Sequence, residues 1–273
     1  MKNMIFFIAL ILCFQAMGQR KPKIKGNRNV VEVSESLPAF NAIELKDDLD
    51  ITLQKASSEG YAISADDNLI DVLKFEVQDS TLIITSYYKI TGKKKLDITI
   101  DYNYLESVTM FDGRIEMKDI ISSEQLYINT FGSSKLQLNT NSTFVQVHME
   151  GSSSGDLNIN SDSLNIVLKD RIDVGIYAVS DSNILKMTES AGAKLEGTTN
   201  TFLVNISGNS SLKAEKLEAN TVSADLEGSP SARINAYADF ELSSRGDSKT
   251  YFYGPAKIKL IDFLDTSQLH REK

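Results

Sequence analysis

Through the second half of this chain, a run of alternating side chains ends about every nineteen residues at a tight turn, most often at a glycine. The turn residues are Gly113, Gly132, Gly151, Asp170, Gly192, Gly208, Gly228 and Gly246, at spacings of 19, 19, 19, 22, 16, 20 and 18. A fixed period of this length is the mark of stacked coils, each too short to bury its apolar face except against its neighbours. Few folds other than a solenoid can carry such a repeat.

The segments between turns read as strands. Leu126–Thr130, Val145–Met149, Leu164–Leu168, Phe202–Ile206 and Val222–Leu226 alternate with period two and are rich in β-branched residues. Before each turn the alternation points Leu126/Ile128/Thr130, Val145/Val147/Met149, Leu164/Ile166/Leu168, Phe202/Val204/Ile206 and Val222/Ala224/Leu226 inward. After it, Leu136/Leu138, Val174/Ile176, Leu212/Ala214, Ala232/Ile234 and Thr250/Phe252 face the same way. No segment of similar length has a helical period. The expected fold is therefore all-β, a parallel β-helix or solenoid with its apolar residues in ladders and its coils about 4.8 Å apart. Glycine suits the corners because it accepts positive φ without steric cost, and Asp170 tolerates it better than most residues. The break in the glycine pattern at Asp170, Arg171 and Ile172 predicts a distorted coil there. Serines beside the corners, such as Ser133, Ser134, Ser152, Ser153 and Ser229, are expected to satisfy the turns locally.

Ahead of Gly113 the strands sit on longer connections, although Asp48 and Asp67 are again nineteen apart. Residues 37–104 are expected to form the first coils and a cap, and residues 105–265 the regular coils of the same single domain. Residues 254–264 are expected to close the far end, with 266–273 as a tail. Residues 19–36, rich in Lys, Asn and Ser, look like a flexible leader.

The N-terminus has the three parts of a cleavable export signal. Lys2 precedes an apolar run from Met4 to Phe14, too short to span a bilayer, and small residues Ala16 and Gly18 precede the polar Gln19. Cleavage after Gly18 removes Cys13, the only cysteine, which Leu12 also disfavours as a lipid-attachment site. The mature chain then has neither disulfide nor thiol nucleophile and no apolar stretch of transmembrane length. Its formal charge moves from −8 to −9 with the loss of Lys2. An acidic chain whose largest basic cluster is Lys93-Lys94-Lys95 is not built for nucleic acid or anionic lipid.

In order along the chain, Phe40–Leu45, Leu49–Lys55, Tyr61–Ile70, Val77–Ile84, Leu96–Ile100, Leu105–Val108 and the Gly-Ser coils together resemble the head GIN domain family of auto-transporter adhesins. The likeness covers most of residues 38–260. It implies a right-handed β-helix-like fold and location at the envelope or surface of a bacterium: periplasm, outer-membrane surface or secreted. It brings no catalytic residues, because the family has no established activity.

The residues themselves offer little chemistry. His148 lies between inward Val147 and Met149 and so points outward, and His270 is near the C-terminus. The positions before the turns, Asp112, Phe131, Glu150, Lys169, Ala191, Ser207, Glu227 and Arg245, make no consecutive carboxylate ladder. Asp47, Asp48 and Asp50, with Asp66 and Asp67, are the densest oxygen clusters and the only calcium candidates, though both fit plain β-turns. Arg245-Gly246-Asp247 is explained by its corner glycine. Tyr251 and Tyr253 could offer a stacking surface, or pack the solenoid end. The expected function is non-catalytic, needing no cofactor: an exported adhesin or scaffold presenting an elongated β-face to a cell-surface glycan or protein. A homo-oligomer is left open. The alternative is a β-helix polysaccharide lyase or hydrolase, which needs a cleft with converging Asp, Arg or Lys.

Overall fold

The computed structural model describes residues 21–272, the side chain of Lys118 excepted; the export signal, Cys13 and the expected mature start at Gln19 lie outside them. The strands are β1 (Lys23–Lys25), β2 (Val30–Ser36), β3 (Ala42–Leu45), β4 (Asp50–Lys55) and β5 (Gly60–Asp66), then one helical turn, α1 (Asp67–Ile70). β6 (Leu73–Gln78), β7 (Thr81–Ser86), β8 (Lys89–Gly92), β9 (Leu96–Tyr102) and β10 (Ser107–Met110) follow. Seven long strands come next: β11 (Arg114–Thr130), β12 (Lys135–Met149), β13 (Ser154–Leu168), β14 (Asp173–Met187), β15 (Gly192–Gly208), β16 (Ser211–Gly228) and β17 (Ser231–Gly246). The chain ends with β18 (Lys249–Tyr253), β19 (Lys257–Phe263) and β20 (Gln268–Arg271).

Each long strand is nearly one whole coil, bent at its middle, and pairs in parallel with the coil before and after it. The result is a β-solenoid of about 9 turns, roughly 19 residues apart. The alternation decides what is inside. Leu126, Val145, Leu164, Phe202, Val222 and Phe240 form one of several ladders buried to within 3% of complete. Contiguous rungs of this kind are the main stabilising element in a chain without disulfides among its described residues.

Positive φ recurs at Gly113, Gly132, Gly151, Asp170, Glu189, Gly208, Gly228 and Gly246, between 61° and 93°. Gly192 was expected in this series and is not part of it: it begins β15, paired with Asp173, and Glu189 turns the corner at φ 65°. Reassigning that corner removes the irregular 22- and 16-residue steps, since 170, 189 and 208 are nineteen apart. Nor is the coil at Asp170 distorted. Its φ is 68°, its carboxylate accepts the Gly151 N–H at 3.2 Å, and β13 pairs with β14 without a register break. The corner serines act by donating: Ser134, Ser153 and Ser210 each bond the carbonyl three residues earlier, at 2.7, 3.0 and 3.1 Å.

A second bend at the other side of each coil places Ser123, Ser142, Ser161, Ser180 and Thr199 in register, nineteen apart. Four of them, from Ser142 on, are buried.

The ends differ from expectation. Residues 23–25 and 30–36, read as a flexible leader, are β1, which pairs with β8, and β2, which runs antiparallel to β5. These pairings are long-range, so local composition gave no sign of them. At this end, antiparallel β5, β2 and β6 and the helix α1 close the core, with Leu69 and Ala65 fully buried. At the other end, β19, within residues 254–264, stacks on β17 with Ala256 buried and Ile258 packed against the core, and β20, in the expected tail, stacks on β18. No helix among the described residues is long and apolar enough to cross a membrane.

Candidate functional site

The calcium candidates do not converge. Asp47 accepts bonds from Lys21 at 2.5 and 2.6 Å and from the Ser86 N–H at 2.8 Å. Asp48 is exposed, and Asp50 opens β4 with Lys93 3.7 Å away. Asp66 is fully buried and takes the Lys94 and Lys95 N–H groups at 3.0 and 3.3 Å. Asp67 bonds the amides of Asn27 and Asn29, which hold its carboxyl below the usual range. Among the described residues no three His, Cys, Asp or Glu side chains form a metal-binding group. The tyrosines at the C-terminal end are also engaged. Tyr251 stacks on His270 with ring centroids 5.2 Å apart and lies under the Arg233 guanidinium, while Tyr253 is half-buried beside the Gly254 corner. His148 faces outward, 3.6 Å from Glu150, whose carboxyl Lys169 holds below its usual range.

Two open depressions gather several polar and charged side chains. The larger, about 1010 Å³, lies between β4, β9 and the Lys93–Lys95 loop, with Arg114, Glu116 and Asp119 on its rim. It gathers acids and cations, as a lyase would need, yet each acid is already engaged. Asp50 faces Lys93, Asp97 faces Lys95 at 3.4 Å, Glu116 faces Arg114 at 3.2 Å, and Asp119 accepts the Lys55 N–H at 2.9 Å. Beneath it, burial with Asp119 nearby pushes the Tyr102 phenol up to about 12.

The second is a groove of about 610 Å³ along the second bend. Its floor comes from the repeat: Asp162, Asp181 and Asn200 stand nineteen apart, flanked by Asn160, Glu218 and Asn220. The amides form rungs, Asn158 donating to Asn139 at 2.7 Å, Asn160 to Asn141 at 3.3 Å and Asn200 to Asp181 at 3.0 Å. Among the described residues no cation pairs with Asp162, Asp181 or Glu218. Tyr237 and Val179, 48% and 39% exposed, add the apolar walls. Hydroxyl, amide and carboxylate groups beside an exposed aromatic ring can bond and stack a polyhydroxylated ligand. Sequence reading missed this groove; the nineteen-residue spacing of its polar residues was the available signal.

A family model described as "Putative auto-transporter adhesin, head GIN domain" matches residues 39–170 and 154–256. The chain belongs to this family. Its description is that of an exported adhesin, and the resemblance read from the ordered strands stands. No curated protein is similar enough in sequence to count as a relative. Among solved structures, one described as a putative adhesin from Parabacteroides merdae superposes with a TM-score of 0.64 at 16% identity, covering 92% of this chain and 100% of its own. Another putative adhesin, from Parabacteroides distasonis, gives 0.66 at 16% identity, with 91% and 99% covered. A third, described as a putative lipid binding protein from the same species, gives 0.62 at 18% identity, with 92% and 100% covered. One fold carries both descriptions, so these likenesses speak to the fold alone.

Proposed function

We propose that this head GIN domain protein is a non-catalytic, exported envelope protein that adheres to neutral or amino-bearing glycan through the groove at Asp162, Asp181 and Asn200. The observation that carries this reading is the stacking of the groove's polar groups at the coil repeat, about 4.8 Å, a step close to the length of one sugar residue. Uncompensated Asp162, Asp181 and Glu218 repel polyanionic chains and favour neutral or cationic ones. The family's description and the pairing of the acids in the larger depression support binding over bond cleavage.

The test is titration of the purified exported chain with neutral, amino-bearing and uronate oligosaccharides, with and without EDTA. Binding to the first two classes is expected, unchanged by EDTA and without shortened products. The Asp181→Ala/Asn200→Ala double variant is expected to lose it with its thermal midpoint intact. Binding that survives this variant, or any glycan cleavage, overturns the reading.

A further inference from the structure

The last coil is built like the others but has nothing stacked on it among the described residues. In register with the coil below, Ile258 lies on Phe240, Leu260 on Leu242 and Phe263 on Ser244, while Leu269 lies on Thr250. Leu242 and Ser244 are completely buried; Leu260 and Phe263, one step up the same ladders, are 48% and 38% exposed. Ile261 and Leu264 beside them are 51% and 54% exposed. The outer edges of β19 and β20 also present backbone groups with no strand partner among the described residues, a ready template for another strand. The opposite end, closed over Leu69 and Ala65, shows no such rung.

The charge order along β19 selects the occupant. Lys257 and Lys259 stand in its first half, Asp262 and Asp265 in and just after its second. Laid antiparallel on a copy of itself, the strand opposes its basic half to the other's acidic half; laid parallel, it opposes like to like. A two-fold axis across the solenoid end produces the antiparallel arrangement and brings the two rows Ile258, Leu260 and Phe263 together. Lys259 already pairs with Glu241 below it at 2.7 Å, whereas Lys257 and Asp262 have no ion-pair partner among the described residues. We propose that the C-terminal end of the solenoid docks a second copy of this chain, end to end, with β19 antiparallel to its counterpart. Because the other end is closed, the contact stops at two copies and forms no fibre.

Sedimentation velocity of the purified exported chain at micromolar concentration tests this. A dimer mass is expected, reduced to a monomer by Leu260→Asp with Phe263→Asp, while far-UV circular dichroism stays that of the parent. Lys257→Asp alone is expected to weaken association by about ten-fold at low salt. Adding Asp262→Lys to that chain is expected to restore it, since each opposed pair is then reversed. A monomer throughout the concentration range overturns the proposal, as do a dimer indifferent to Leu260→Asp/Phe263→Asp, open-ended assemblies, or a reversal that fails to rescue.

Discussion

Asn183 occupies an apolar ladder. In register, Leu164 lies one coil before it and Phe202 one coil after, and Asn183 is as completely buried as they are. Its Oδ1 accepts the Ser180 hydroxyl at 2.5 Å, but its Nδ2 has no partner. A buried donor without an acceptor costs about 1–3 kcal/mol, while one neutral hydrogen bond contributes about 1 kcal/mol net. Asn183→Leu removes the first and forfeits the second, and it also adds apolar contact with Leu164 and Phe202. Urea unfolding should therefore give a stabilisation of about 1 kcal/mol. A loss of that size would instead mean that the Ser180–Asn183 bond shapes the bend. Period-two alternation made the ladders on either side legible. This rung escapes it because Gly192, the only glycine near that corner, lies three residues past the true corner at Glu189.

At the level of the coil, the corner is a backbone conformation before it is a residue type. A Cβ on Gly132 would lie 2.3 Å from the Phe111 carbonyl oxygen, a backbone atom of the neighbouring coil that cannot swing aside. Gly132→Ala should cost about 2 kcal/mol or more, combining this clash with the left-handed φ. Glu189 already holds a Cβ at φ 65°, so Glu189→Gly trades relief of strain against added freedom in the unfolded chain. The net change should lie within about 1 kcal/mol of zero. Chemical denaturation of both variants checks the pair, and equal losses would mean that left-handed geometry is not what selects the corner residue. Glycine identity revealed six of the eight corners, and Asp170 was recovered from spacing. Glu189 was hidden because nothing in its chemistry announces positive φ. The second bend, at Ser142, Ser161 and Ser180, was equally regular, but serine there reads as loop composition unless the spacing is counted. The strands of residues 23–36 had no periodic signal, since their order comes from long-range partners: β8, parallel to β1, and β5, antiparallel to β2.

Across the whole molecule, stability is close to a sum over neighbouring coils, so the repeat length itself should be a tolerated unit of deletion. Removing residues 152–170 joins Gly151 to Arg171 and turns two corners into one, with β12 stacking directly on β14. Inward Val145, Val147 and Met149 would then meet Asn183, Leu185 and Met187, rows that already share one register across the intervening coil. The lost Glu150–Lys169 pair, 2.8 Å in the intact chain, is at the surface and contributes little. This shortened chain should still unfold cooperatively, with the same far-UV ellipticity per residue and a midpoint lower by a few degrees. Deleting 153–170 instead, one residue fewer, shifts Val174 and Ile176 to outward positions and turns their polar neighbours into the core. The chain's own 20- and 18-residue steps are absorbed at register breaks, such as those between Lys194 and Glu196 and between Ala214 and Ala219. No such break lies between β12 and β13 or between β13 and β14, so the shorter deletion should abolish the cooperative transition. Two deletions differing by a single residue thus separate a stack held by register from one held by hydrophobic composition, and equal melting curves would favour composition.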